Sequence, residues 1–159
     1  MRIIVVSDTH GRASRFEEVV LLHSEADAYI HLGDGERDFD KVYEKFPEKK
    51  MYFVSGNCDS FSLVPSYKIE EICGKRIYFT HGASDGVKYD NSRLINKAMQ
   101  ANADILLYGH THIPFTDYID SRLFVMNPGS LGNPRETIYG TYGIIDLVNG
   151  AVSMNVARL

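Results

Sequence analysis

Residues 2–11 read RIIVVSDTHG, and this stretch decides what kind of fold to expect. Ile3 to Ser7 forms a β-branched run without polar alternation, as in a strand covered on both faces. It ends directly in Asp8 and His10. In open α/β sheets, ligands collect just beyond the carboxyl ends of such strands. Working outward, the arrangement recurs. Ala28 to Leu32 runs into Gly33-Asp34, and Met51 to Val54 into Ser55-Gly56-Asn57. Arg76 to Thr80 leads to His81, and Ile105 to Tyr108 to Gly109-His110-Thr111-His112.

The segments between these strands set the rest of the expected order. Phe16, Val19, Val20 and His23 fall at helical spacing, with Ser14 as a cap and Glu17 completing a capping box. A second helix is expected over Asp38 to Phe46, closed by Pro47. The second half begins with a hairpin, Ser66 to Ile72 and Arg76 to Thr80, turning at Cys73-Gly74-Lys75. Asn91 to Ala101 reads as a helix. Strands follow at Phe115 to Ile119, Leu123 to Met126, Thr137 to Asp146 and Val152 to Ala157, with turns at Asp120-Ser121 and Asn149-Gly150. The expected architecture is α/β (α+β-like). Two packed sheets, mainly parallel first and antiparallel later, carry helices outside, in one domain spanning 1–159.

Composition narrows the function. A chain of 159 residues can bury a core without staples, and 44% apolar with 24% charged residues describes a soluble globular protein. A net charge of -4 argues against an extended nucleic-acid surface. It leaves room for a phosphorylated substrate, because bound cations would supply local positive charge. The two cysteines, Cys58 and Cys73, make no disulfide framework, so a cytoplasmic location is expected. No apolar segment approaches the roughly 20 residues needed to span a bilayer. The apolar run at the N-terminus is too short for a signal-peptide core, so no targeting segment or membrane contact is expected.

The residues at the strand ends carry the chemistry. Asp8, His10, Asp34, Asn57, His81, His110 and His112 offer two carboxylates, one amide oxygen and four imidazoles. That mixed set suits first-row divalent metals and exceeds what one ion needs. Asp8 and His10 share a face of an extended segment, as do His110 and His112. Asp34, with two oxygens, is the type of residue able to bridge ions about 3.5–4 Å apart. A two-metal centre of this kind points to cleavage of phosphate esters.

The ordered blocks D-x-H, G-D, G-N-x-D, H-G and G-H-T-H resemble the calcineurin-like metallophosphoesterases. The short chain, the cysteine in GNCD and the NPGS of Asn127 to Ser130 are similar to the small YfcE-like phosphodiesterases. The resemblance implies a β-sandwich of two mixed sheets flanked by helices. It implies one metal on Asp8, His10 and His112, another on Asn57, His81 and His110, and Asp34 bridging both. A hydroxide between the ions would attack phosphorus in line. Manganese is the expected metal, with Ni²⁺, Mg²⁺, Zn²⁺ or Fe as substitutes.

Formal charges leave such a site with one net positive charge. A diester monoanion neutralises it and a monoester dianion overshoots, so a small phosphodiester is the expected substrate. Asn57 is expected to touch the phosphate, and Arg12 and Arg135 are candidates to grip it. Many relatives carry histidine where this chain has Cys58, and a thiol is the poorer proton donor to a leaving oxygen. Asp59 is expected to orient its neighbour or a metal-ligand imidazole. The alternatives are a phosphomonoesterase or nucleotidase on the same site, or a non-catalytic scaffold of the same fold. A homo-oligomer is compatible with either.

Overall fold

The computed structural model describes residues 1–159. In chain order the elements are β1 (Arg2–Val6), α1 (Ala13–Leu22), β2 (Ala28–His31), α2 (Glu36–Lys45), β3 (Met51–Phe53), β4 (Tyr67–Ile72) and β5 (Lys75–Thr80). A 3-10 turn at Ala83–Asp85 follows. Then come α3 (Ser92–Gln100), β6 (Ile105–Tyr108), β7 (Pro114–Ile119), β8 (Leu123–Pro128), β9 (Thr141–Val148) and β10 (Ala151–Arg158). The strands form two five-stranded sheets, ordered β10-β9-β1-β2-β3 and β4-β5-β6-β8-β7.

Alternation along the central strands β1 and β6 explains why they are apolar throughout from Ile3 to Val6 and from Ile105 to Tyr108. Ile3 and Val5 on β1 point into the space between the sheets, where they meet Ile77, Phe79, Ile105 and Leu107. Ile4 and Val6 point the other way, against Phe16, Val19 and Val20 of α1 and Val42 of α2. On β6, Leu106 and Tyr108 pack under Leu94 and Ala98 of α3. The result is four layers, helix, sheet, sheet and helix, in which the central strands β1, β2 and β6 lose water from both faces. No helix is long and apolar enough to cross a membrane.

Both sheets are mixed, as the resemblance implies, although antiparallel pairing already begins at β4 and β5 and parallel pairing persists to β8. β1 pairs parallel with β2 and antiparallel with β9, matching Ile4 to Ile144. In the second sheet β5, β6 and β8 are parallel, and β4 and β7 run antiparallel at its edges. The hairpin of β9 and β10 therefore returns from the chain's end to cover the free edge of β1. Periodicity identifies strands but not the edge a late strand will seek.

Three boundaries also differ from expectation. α1 opens at Ala13 with Arg12 at its N-cap and no side-chain cap bond, so Ser14 lies inside the helix and the capping box is not formed. β9 starts at Thr141, because residues 137–140 bend instead of extending. α2 starts at Glu36, two residues before Asp38. Its first amides are bonded by Asp59, a cap supplied from a distant loop.

Candidate metal centre

The carboxyl ends of the parallel strands of both sheets open on the same end of the sandwich, and all seven candidate ligands follow them. Asp8 and His10 come after β1, Asp34 after β2, Asn57 after β3, His81 after β5, and His110 and His112 after β6. The ligand atoms of Asp8, His10 and His112 lie within 4.8 Å of one another, as do those of Asp34, His81 and His110. A third group, His10, Asp34 and Cys58, links the two. Asp34 Oδ2 lies 3.5 Å from His81 Nε2 and 3.9 Å from His10 Nε2, between the groups.

The main chain is bent to bring these side chains inward. Asp8, His10, Asp34, His110 and His112 all adopt positive φ, between 45° and 68°. Such values are uncommon outside glycine and concentrate where a site over-determines its backbone. Interlocking loops hold the strain. Asp8 N donates to Gly33 O at 3.0 Å and His10 N to Asp34 O at 3.2 Å. At Gly33 (φ 94°) a Cβ would stand 2.6 Å from the Gly56 amide nitrogen, so the Asp34 and Asn57 loops touch backbone to backbone. Any larger residue at Gly33 would part them.

Hydrogen bonds fix the imidazoles in a ligating tautomer. His81 Nδ1 donates to Leu32 O at 2.7 Å, and His112 Nδ1 to Asn133 O at 2.6 Å. Each Nε2 is thereby left with its lone pair facing the site. His81 Nε2 then stands 3.1 Å from both Asn57 Oδ1 and His110 Nδ1, and His112 Nε2 is 3.2 Å from His10 Nε2. Beside them Asp8, wholly buried, holds Oδ2 against Ser7 Oγ and the His110 amide, while its Oδ1 faces His112 Nε2 at 3.1 Å. Lone pairs that converge from imidazoles and from a buried carboxylate oxygen call for a cation at their centre.

The titration behaviour carries the same message. Burial opposes ionisation of Asp8 and Asp34, yet the neighbouring imidazoles outweigh it and hold both carboxyls below their ordinary range. Burial also opposes protonation of His81, but Asp34 and Asp8 raise its pKa. The Asp8 hydrogen bond raises that of His112. Burial and the charge of His81 push His110 down to about 4. His81 and His112 thus hold protons more tightly where ions would sit, and the donor set fits divalent metal.

The remaining candidates divide. Cys58 lies at the mouth of the site, and its amide donates to Asp34 Oδ1 at 2.7 Å. Desolvation and the Asp34 carboxylate push its thiol up to about 11. Arg135 is exposed near His112, its amide donating to the His112 carbonyl at 3.4 Å. Arg12 is exposed at the start of α1, and its side chain makes no hydrogen bond to the site. Asp59 orients neither Cys58 nor an imidazole. Its Oδ1 accepts the amides of Gly35 and Glu36, and its Oδ2 those of Asp34 and Gly56, at 2.8–2.9 Å. It clamps the Asp34 loop to the start of α2, while His81 and His112 are oriented by main-chain carbonyls.

Several positioning residues have no obvious signal in the sequence. Asp38 Oδ2 takes the Gly11 amide at 2.8 Å and steadies the turn after His10. His31 lies under both halves, meeting Thr9 Oγ1 through Nε2 and accepting the Gly33 amide at Nδ1, each at 3.2 Å. Asn127 donates to Gly109 O and Thr111 Oγ1, and Ser130 Oγ to Asp8 O. The NPGS segment therefore braces two ligand loops; its compact turn grammar was visible, its partners were not.

Fold, site and sequence agree on one class: the chain belongs to the calcineurin-like phosphoesterase superfamily, whose domain model matches residues 1–150, and with it to the metal-dependent phosphoric ester hydrolases. It is 30% identical to the phosphodiesterase YfcE of Escherichia coli K12, over 92% of this chain and 88% of that protein. A crystal structure of a predicted phosphoesterase from Streptococcus pneumoniae TIGR4 superposes with a TM-score of 0.85 at 29% identity, covering 99% of this chain and 88% of that one. Vacuolar Protein Sorting 29 of Cryptosporidium parvum shares the fold, with a TM-score of 0.76 at 18% identity over 99% and 97% of the chains.

Proposed function

We propose that the chain is a binuclear-metal-dependent phosphodiesterase acting, as one domain, on a small diester in the cytoplasm. The observation that carries this reading is the pairing of Asp8, His10 and His112 with Asp34, His81 and His110, with Asp34 Oδ2 between them. Asp8, His10 and His112 would hold one ion. Asn57, His81 and His110 would hold the other, and Asp34 would reach both. When bound, two divalent ions, manganese foremost, supply water activated near neutral pH and positive charge against the phosphoryl oxygens.

The protein's own groups do the rest. Leu32 O and Asn133 O keep His81 and His112 in the ligating tautomer. Asn57 stands at the opening, where its amide can reach a phosphoryl oxygen as well as an ion. Cys58 stands beside Asp34 in the place of a proton donor. A thiol pushed up to about 11 is a weak one, so diesters with good leaving groups are preferred. Arg135 is retained as a candidate phosphate contact, and Arg12 has less structural support.

The scaffold alternative has the fold in common with the sorting protein, but the filled ligand set favours catalysis. The test is turnover of bis(4-nitrophenyl) phosphate by Mn²⁺-loaded protein, alongside 4-nitrophenyl phosphate. The diester should be hydrolysed faster, and Asp34→Asn and His81→Ala should each lower the rate by at least about a hundredfold. Equal rates in parent and both variants would contradict the site. A faster monoester would move the reading to a phosphomonoesterase.

A further inference from the structure

A polar cleft of about 580 Å³ opens beside the centre, within the size range of small-ligand sites. One wall belongs to the centre itself, with His10, Asp34 and Cys58. The other is α2, which presents Arg37 and Lys41 to the same space. The two cations are four residues apart, neighbours on one helical face. Neither forms an ion pair or a side-chain hydrogen bond, although acidic residues surround them.

Those acidic residues are already engaged. Asp59 spends both oxygens on four amides. Asp38 is buried and takes the Gly11 amide. Glu36 accepts the Ser62 hydroxyl at 2.9 Å. Asp34 is turned to the centre, with Oδ1 held by the Cys58 amide. The cleft therefore combines carboxylates held by other donors with two cations that no carboxylate pairs. No aliphatic or aromatic hydrocarbon side chain lines it, so an apolar leaving group lodged there would have no apolar partner.

We propose that Arg37 and Lys41 form an anion subsite, so the preferred substrates are phosphodiesters bearing a second anionic group, a carboxylate or terminal phosphate, a few bonds from the scissile phosphorus. The assignment rests on the phosphodiesterase reading for the meaning of the scissile position. Arg37 supplies a planar fork for two oxygens, and Lys41 a point charge one turn further along. The second group raises specificity by binding and takes no part in bond cleavage.

The test uses two ligands that cannot be turned over, propylphosphonate and 3-phosphonopropionate, which differ in a terminal methyl against a carboxylate. Calorimetric titration into the Mn²⁺-loaded protein should show the carboxylate ligand binding about tenfold more tightly. The Arg37→Gln/Lys41→Gln double variant should bind the two alike, and Arg37→Lys should keep most of the preference. Equal affinities in the parent, no measurable binding of either, or a preference that survives in the double variant would overturn the subsite. Because the readout is a ratio within one protein, general loosening of α2 does not imitate it. It is also independent of turnover, so inactivity on bis(4-nitrophenyl) phosphate would refute the phosphodiesterase reading and leave the subsite result standing.

Discussion

The two halves of the centre are built from the same parts but anchored to different regions of the chain. Each has a carboxylate, one imidazole locked by a main-chain carbonyl and one that is not. In the Asp8 half the lock comes from Asn133, and the loop of Ser130 and Gly132 closes over the Asp8 carbonyl. That half depends on residues more than 100 positions away. In the Asp34 half the lock is Leu32, just after β2, and the clamp is Asp59, in the loop that follows β3. The Asp8 half is thus completed only when the C-terminal region has docked, whereas the Asp34 half, apart from its two histidines, is organised within the first 59 residues.

The comparison can be sharpened first at the junction. Cys58 sits between the halves, and Cys58→His places an imidazole where the thiol is a poor proton donor. Turnover of an alkyl phosphodiester should rise by about a hundredfold, with far less change for a bis-aryl diester. Unchanged alkyl turnover with intact metal content would show that leaving-group protonation does not pass through this position.

The next effect is confined to the Asp34 half. Asp59→Ala unties four amides, and loss of such an outer support costs about 10–100-fold in metal affinity or activity. Metal titrations should show one weakened ion and one nearly normal. Asp38→Ala, which frees only the Gly11 amide, should cost about tenfold at most and weaken the His10 side instead. Equal loss at both ions in both variants would mean that the halves are not independently supported.

His31 touches both halves, and its effect appears in stability with pH. Burial pushes its pKa down to about 4, so folding requires it neutral. The unfolded chain takes up this proton near pH 6.5. The contribution is therefore present above pH 6.5 and is lost as pH falls toward 4, by about 3 kcal/mol. Denaturant titrations of metal-free protein should show a shallower decline over that window in His31→Gln than in the parent. Identical slopes would exclude His31 as its source.

How much of this was legible depended on whether the cause was local. The seven candidate ligands stood out because each follows a strand in a short run, and the fold packs those strand ends together. The twofold use of β1, Ile3 and Val5 inward and Ile4 and Val6 outward, was readable from an unbroken apolar run. The pairing of β9 with β1 was not, because an edge is chosen by shape and burial across about 140 residues. α2 opened earlier than its own sequence indicated because its cap is Asp59. For the same reason nothing local marked Asp38 as a positioning residue. Its task exists only once the His10 loop has folded against it.

The central claim is that two ions occupy two half-sites sharing Asp34, and counting them tests it most directly. Bound Mn²⁺ measured by equilibrium dialysis should reach two per chain in the parent. It should fall to one in His112→Ala and one in His81→Ala, and Asp34→Asn should weaken both. One ion per chain in the parent, or two retained in both histidine variants, would contradict the account.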